Sequence, residues 1–587
     1  MMLERNARLM NRKLVEYLIP SVLMVIAMQF GSLLDGILVG NMLSNEALTA
    51  TSLVMPILLI LQFPGFALGV GGSIIAGQYM GKRELDKASK VFSGCIIAGM
   101  AISCLFMVIA PFTAAPFASV YVPSEMKELG TQYVLVYMLS IPILNLAIMM
   151  SSFMSEDSHP NHASALLIIA NVVKVGAEIL MLRVFRMGMY GAALSTTVGY
   201  LVGLVTLWFY HRSKSRMLQF SMHIRGCWPL LKESLKAASA TALSMVLMAV
   251  QMSVANILIA NMVTDPTEQL LFGIISNFVF AFDLFVGGIS QLVPNICSIL
   301  HGEEDYYGLR AVTARLYYLN IIITLALTVF LMIDPGFYCA LFGLEYHGGD
   351  GFRIMRIFLL SFLPYEINKF NQAYYSTIGR NTPALVTVLL REGILNLPLT
   401  VILLQTRGLE GYAWSQTLSE IGTVVLTYAY ILFYNRSKKN DHYGLWMIPP
   451  FKNQFPYDVS IHNQEDQVAQ LSRELVQYSK DRGMSERNSQ IIGLAGEELA
   501  MNIITYGLDS GKDSTIDVHL KIVNERMILR IRDDGKSFDP TQYKPEGEPD
   551  TTSGLYLING LVSKMTYLRV LNTNNTIMEI ELNQGGN

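Results

Sequence analysis

Two groups of polar residues in this sequence stand where apolar packing alone does not call for them. The first is Asp35, the one carboxylate in the apolar stretch from Tyr17 to Ser44, with Gln29 upstream in the same stretch. A carboxylate at the centre of a membrane helix costs roughly 2.5 to 3.5 kcal/mol on insertion scales. Asp35 is therefore expected to face a bundle interior or a wet cavity, where it can hold a proton or an ion; the competing reading puts it at a solvated helix end. The second group lies far downstream. Glu498-Leu499-Ala500-Met501-Asn502 sets a carboxylate and an amide four apart, hence on one helix face, the placing that suits a water-activating base and a magnesium ligand. Asp533-Asp534-Gly535 closes an apolar run with acids and a glycine, where the chain turns sharply and a carboxylate can accept a hydrogen bond from an adenine amino group. Thr552-Ser553-Gly554 opens a helical stretch whose first amides suit phosphate. Each motif alone is weak; their order and spacing together are strong.

The elements that must position these residues fall into two classes. The composition, 52% hydrophobic and 15% charged over 587 residues, points to a membrane protein of more than one domain. About twelve apolar runs are long enough to span a bilayer, near 15–40, 52–78, 92–116, 131–153, 163–182, 189–210, 236–261, 269–297, 312–341, 352–377, 383–404 and 410–434. Arg5, Arg8, Arg12 and Lys13 precede a first run too long for a signal peptide, which reads as a retained span. Lys82, Arg83, Lys87 and Lys90 in the second loop, and Arg212, Lys214, Arg216, Arg225, Lys232 and Lys236 in the sixth, place those loops and both termini in the cytoplasm; Arg183 and Arg186 run against that bias. The five cysteines show neither disulfide nor zinc spacing, and the net charge of −3 is uninformative.

The membrane part repeats itself. Gly36-Ile37-Leu38-Val39-Gly40-Asn41-Met42 returns about 220 positions later as Asn256-Ile257-Leu258-Ile259-Ala260-Asn261-Met262, and Gly302 stands for Gly81. Two similar halves around a central site is a transporter plan. Ala255 stands opposite Asp35, so any ion role of that carboxylate belongs to the first half. Among other charges in the apolar runs, Lys174 with Glu178 and Glu366 with Lys369 have the spacing of pairs on one helix face. Asp283 has no evident neighbour and is the second-half candidate for ion or cation contact. Asn145, Asn171, Asn371 and Gln372 can line a cavity or bridge helices. The 32 methionines serve helix interfaces more readily than a drug-binding surface, and Ser155 to Pro160 reads as a turn.

After Tyr434 the composition changes. Residues 436–460 read as a linker and 461–587 as a soluble domain of helix (464–482), helix (486–506), strands 515–523 and 526–533, a polar loop, helix (553–562) and strands 564–571 and 575–582. Gly483 ends the first helix and Ser485 caps the second. The fold class expected is an all-α polytopic domain at 1–435, in lobes of about 10–215 and 225–435, followed by an α+β sandwich.

Gln29-x5-Asp35-x4-Gly40, the turn Asn45-Glu46-Ala47-Leu48, and Gly69-Val70-Gly71-Gly72 leading to Gly81 and basic residues resemble the multidrug and toxic compound extrusion (MATE) family. The resemblance implies two six-helix lobes in a lipid bilayer, export of small organic cations against protons or sodium ions, and ion coupling at Asp35, with Pro20 letting the first helix bend. Cavity positions are expected at Gln29, Asp283, Glu366 and Asn371. The downstream motifs, with the short Asp-x-Gly-x-x-Phe-Asp-Pro form at Asp533 to Pro540, resemble the histidine-kinase-type ATP-binding fold, closest to anti-sigma-factor serine kinases. That likeness implies ATP and Mg2+ as cofactors, Glu498 as general base, Asn502 as magnesium ligand, Asp533 as adenine-reading acid, Gly535 beneath the base, Thr552 and Gly554 in the phosphate loop, and pairing into a homodimer. Ser537, Thr552 and Tyr506 depart from the family's pattern, which favours ATP binding over vigorous turnover.

No Gly-x4-Gly-Lys-Ser/Thr loop occurs, which removes an ABC-type ATP-driven pump. The leading expectation is a gradient-driven exporter in the plasma membrane, regulated by ATP in the cytoplasm. The alternative is a membrane-tethered serine kinase or switch with a cytosolic protein partner, the transporter-like half sensing a ligand. No nucleic-acid partner is expected.

Overall fold

The computed structural model describes residues 3–213, 215–222, 226–263, 266–336, 350–438, 444–448, 457–508, 514–523, 526–543 and 554–581. They divide into two compact units, one of Tyr17–Met447 and the other of Met1–Glu16 with Ile448–Asn587.

The larger unit is helical. Its first lobe holds α1 (Arg8–Met42), whose opening turns belong to the other unit, then α2 (Asn45–Gly81), α3 (Leu85–Tyr121), α4 (Lys127–Glu156), α5 (Pro160–Ile179), α6 (Gly188–Gly203) and α7 (Thr206–Arg212). The second holds α8 (Cys227–Ala237), α9 (Ser239–Met262), α10 (Pro266–Gly302), α11 (Tyr306–Ile333), α12 (Asp350–Leu359), α13 (Phe362–Thr377), α14 (Asn381–Val388) and α15 (Asn396–Ser437). Local chemistry sets several starts: the Ser44 hydroxyl accepts from Ala47 N, and the Asp305 carboxylate from Gly308 N. Among the described residues nine helical stretches are long and apolar enough to cross a membrane. One of them, Asn381–Ser437, is broken at Gly408, where φ is +59° and glycine alone is unstrained. That break, together with α10 and the α12–α13 pair, gives each of the about twelve apolar runs a helix.

The repeat is visible in the helices. Both α2 and α10 run 37 residues, ending at Gly81 and Gly302. These ends meet backbone to backbone. A side chain at Gly81 would overlap the Ile299 carbonyl, and one at Gly302 would overlap the Gln78 carbonyl. The contact is reciprocal, as an axis relating two halves requires.

The smaller unit contains a five-stranded antiparallel sheet in the order β1-β2-β3-β5-β4, with β1 (Tyr457–His462), β2 (Thr515–Val523), β3 (Arg526–Asp533), β4 (Lys564–Val570) and β5 (Thr573–Glu581). Alternation puts Ile516, Val518, Leu520, Leu529 and Ile531 on one face, where α16 (Glu465–Asp481), α17 (Glu486–Asn502) and α18 (Gly554–Leu561) bury them with Leu471, Leu475, Ile492 and Ile558. Gly483, at φ +85°, ends α16, and Ser485 Oγ accepts from Asn488 N at 3.3 Å. β1 falls in the stretch read as linker. Its Val459 and Ile461 alternate as a strand should, but it is a short edge strand.

The other face of the sheet is polar, and the N-terminal arm packs there. Ser460 N donates to Glu4 O at 3.2 Å, and the Arg5 guanidinium joins Asp458 (3.3 Å) and Asp517 (2.8 Å). Leu9 and Met10 are buried, with Met10 Sδ 3.8 Å from Arg532, and Lys13 Nζ donates to Asn572 O at 3.1 Å. Arg12 pairs with Asp534 at 2.7 Å.

Candidate functional site

In the sheet unit the motif residues converge. Glu498 and Asn502 share one face of α17, and Asn502 Nδ2 donates to Glu498 Oε1 at 2.9 Å. The amide nitrogen is thus committed to the carboxylate, which leaves the Asn502 carbonyl oxygen as the atom able to face a metal ion. Gly554, at the start of α18, backs directly onto the Glu498 carboxylate, where any side chain would overlap it. Asp533, at the end of β3, is 2% exposed, and its Oδ1 accepts from Gly535 N and Asn574 Nδ2, both at 2.8 Å. Burial pushes its carboxyl up to about 6; Asn574, the Gly535 amide and Arg569 oppose that rise, while Asp534 adds to it. Gly535 packs against the Gly507 carbonyl, which also accepts from Lys536 N at 2.9 Å. The loop after β3 is thereby tied to the π-helical turn Ile503–Gly507 that ends α17. Thr552 and Ser553 lie outside the described residues.

In the helical unit Asp35 is partly buried and pairs with Lys174 of α5 at 3.1 Å, while Tyr133 of α4 donates to its Oδ2 at 3.4 Å. This corrects the pairing expected along α5: the Lys174 ammonium reaches across to α1, and Glu178, fully buried, turns its carboxyl towards Asp35. The second lobe needs the same correction. Lys369 of α13 pairs with Asp283 of α10 at 2.6 Å, giving Asp283 the partner the sequence did not reveal. Glu366, 1% exposed, faces Asp283 as well. Each lobe therefore gathers two carboxyls around one ammonium, on α1 and α5 in the first and on α10 and α13 in the second. Gln29 is partly buried, and Asn371 is fully buried with neither side-chain atom hydrogen-bonded among the described residues.

Residues 20–180 match the MatE family, and residues 461–580 match the histidine kinase-like ATPase domain. The chain carries a MatE domain joined to a histidine kinase-like ATPase domain. A probable multidrug resistance protein, YoeA, of Bacillus subtilis is 23% identical over 229 residues, which is 38% of this chain and half of that protein. The multidrug export protein MepA of Staphylococcus saprophyticus is 22% identical over 409 residues, 67% of this chain and 89% of the relative. Among solved structures, the MATE multidrug transporter DinF-BH superposes with a TM-score of 0.67 at 20% identity, covering 74% of this chain and 98% of that one. An outward-facing MATE family transporter of the MOP superfamily gives 0.66 at 17% identity over 75% and all of the respective chains. The MATE transporter fold and a multi-pass membrane protein follow.

Beyond the matched stretch, this fold holds charges that the sequence reading passed over. Arg391, on the π-helical turn Leu389–Ile394 after α14, donates from Nε to Glu420 at 2.9 Å and lies 4.2 Å from the Tyr365 ring centroid. Glu392 accepts from Ser244 at 2.6 Å, and Asn368 Nδ2 bonds the other Glu420 oxygen at 2.8 Å. Their signal was present, as charges inside two apolar runs. In the first lobe Asn145 bonds Ser103 Oγ at 2.8 Å and Leu61 O at 3.3 Å, which makes it a helix bridge. Asn171 bonds its own helix at Leu167 O. The turn after α4 is a capping device: Asp157 accepts from Tyr210 OH and from the amides of Met217 and Leu218. No metal-ligand cluster occurs among the described residues.

Proposed function

We propose that this chain is a proton-coupled exporter of small organic cations, and that ATP and Mg2+ on its ATPase domain bias the transport cycle. The observation that carries the coupling is the pair Asp35 and Glu178 set against the single ammonium of Lys174. Two carboxylates, one partly and one fully buried, against one cation leave one negative charge uncompensated, and a shared proton is the small cation that relieves it. A sodium ion would have to share that space with an ammonium 3.1 Å from Asp35. Substrate entering as a cation competes with the lysine and the proton for the same carboxylates, so loading one species releases the other. The names of the relatives, a probable multidrug resistance protein and a multidrug export protein, support export of drugs. By the basic loops both termini lie in the cytoplasm, where ATP is.

For the ATPase domain, Glu498 and Asn502 beside Gly554, with Asp533 held by two donors, support an adenine nucleotide with its metal ion at Asn502. Bound there, Mg2+ supplies charge neutralisation of the phosphates; Asp533 orients the base and Glu498 holds a water. The retained Glu498–Asn502 pair also favours a second reading, phosphorylation of a cytosolic protein by a paired, membrane-tethered kinase.

Efflux of a fluorescent organic cation from proteoliposomes under an imposed proton or sodium gradient, with and without Mg-ATP on the ATPase side, tests both. Transport on the proton gradient, abolished by Asp35→Asn and altered in rate by ATP, is the expected result. Efflux driven by sodium alone, or undiminished in Asp35→Asn, sinks the coupling scheme. Labelled phosphate on a co-purifying protein, lost in Glu498→Ala, moves the reading to the kinase.

A further inference from the structure

Where the ends of α2 and α10 close on each other, a further carboxyl is buried, this one without a cation. Glu156, the last residue of α4, is 0% exposed. Its Oε1 accepts from Ser298 of α10, and its Oε2 has no hydrogen-bond partner among the described residues. The carboxyl sits in the space left by the absent side chain of Gly77 on α2, so α2, α4 and α10 all touch it. Beside it Asn295 of α10 donates to Ser155 of α4 at 2.7 Å. The groups facing it are few. From α2 it meets Gly77, from α10 Ser298 and the Cys297 thiol, and from its own chain Asp157, whose oxygens are taken by Tyr210 and the Met217 and Leu218 amides. His301, a turn further along α10, is faced by Lys82, Arg380 and Glu304 instead. Among the described residues no lysine or arginine forms an ion pair with Glu156.

An ionised carboxylate at this place would be a buried charge with one hydrogen bond and no counter-ion, an arrangement that folded proteins relieve by taking up a proton. When α2 and α10 separate, water reaches the group and that penalty disappears. We propose that Glu156 is a proton-binding gate residue: it is protonated while the two lobes are closed at the Gly81–Gly302 end, and it gives its proton to the solution at that end as they part. The step is an ionisation alone, carboxyl to carboxylate with the proton passing to water. Glu156 is thereby a second proton site, distinct from Asp35 and Glu178, and it makes closure at the end carrying Lys82 and Arg83 favoured by acid. The proposal rests on the transporter reading only in supposing that this end opens.

The test is the distance between positions 82 and 303, read by electron spin resonance on the full chain in lipid nanodiscs between pH 5 and pH 9, with bioorthogonal labels that leave the native cysteines in place. In the native chain the short distance should give way to a long one as pH rises. Glu156→Gln, which copies the protonated carboxyl, should hold the short distance throughout. Ser298→Ala removes the donor that stabilises the carboxylate, and should move the opening midpoint to higher pH by roughly one unit. A second variant of this kind keeps the test alive where the first fails to fold. Separation that ignores pH, or a Glu156→Gln variant that follows the native pH curve, overturns the proton site while leaving an exporter. A native chain that never shows the long distance overturns the proton site and the opening motion together.

Discussion

Asp533 shows how a single carboxyl can make binding and stability pull in opposite directions. Burial lifts it from an ordinary 3.8 to about 6, so the folded domain holds its proton more tightly than the unfolded chain does. Its contribution to stability therefore grows as pH falls through 6 and is lost as pH rises above it. Reading an adenine amino group needs the ionised, accepting form, so nucleotide affinity should fall as pH drops below about 6. Calorimetric titration with Mg-ATP should show that decline in the native chain and a flat, at least tenfold weaker profile in Asp533→Asn. Glu498→Gln should bind Mg-ATP with near-native affinity and lose whatever hydrolysis the domain performs. These residues were legible in the sequence because a strand end and a helix face are local patterns. The partners of Lys174 and Lys369 were not, since each lies on another helix and neighbours in sequence offered a simpler pairing.

At the level of elements, the strands β2 and β3 were readable to the residue from alternation, whereas β1 was hidden in a stretch whose composition spoke for a linker. The N-terminal arm left no local trace at all. Its basic residues read as a topology signal, and in the structure Arg5 serves instead as counter-ion to two carboxylates, Asp458 and Asp517, with its own side chain 5% exposed. Removing it in Arg5→Ala strands those acids, at a cost of about 3 to 5 kcal/mol; amide exchange in β1 and β2 of the full chain should accelerate accordingly. Gly554 makes an opposite kind of demand, for emptiness. Gly554→Ala pushes on the Glu498 carboxylate and should weaken Mg-ATP binding by about 1 to 3 kcal/mol, with Gly560→Ala, where nothing lies within 4 Å, as the harmless control.

At the scale of the whole molecule, the repeat was legible as a faint echo of one hairpin, and it surfaces in the structure as the reciprocal backbone contact between the helix ends at Gly81 and Gly302. Gly302→Ala should prevent that closure, lowering efflux at least tenfold while leaving nucleotide binding intact. The break at Gly408, which turns one long helix into two crossings, falls between the apolar runs at 383–404 and 410–434, where Gln405, Thr406 and Arg407 interrupt the hydrophobic stretch. The arm carries a consequence for how this protein is made. Its residues leave the ribosome well before the strands that receive Glu4, Arg5 and Met10, which are synthesised more than four hundred positions later. The membrane spans must insert while the arm still waits with its basic groups unmatched. A shortened chain ending near residue 447 would leave Leu9 and Met10 bare, and a bulky group fused to the arm would compete with it for the edge of β1. Tags and truncations, ordinarily neutral choices for a transporter, are here perturbations of the ATPase domain itself.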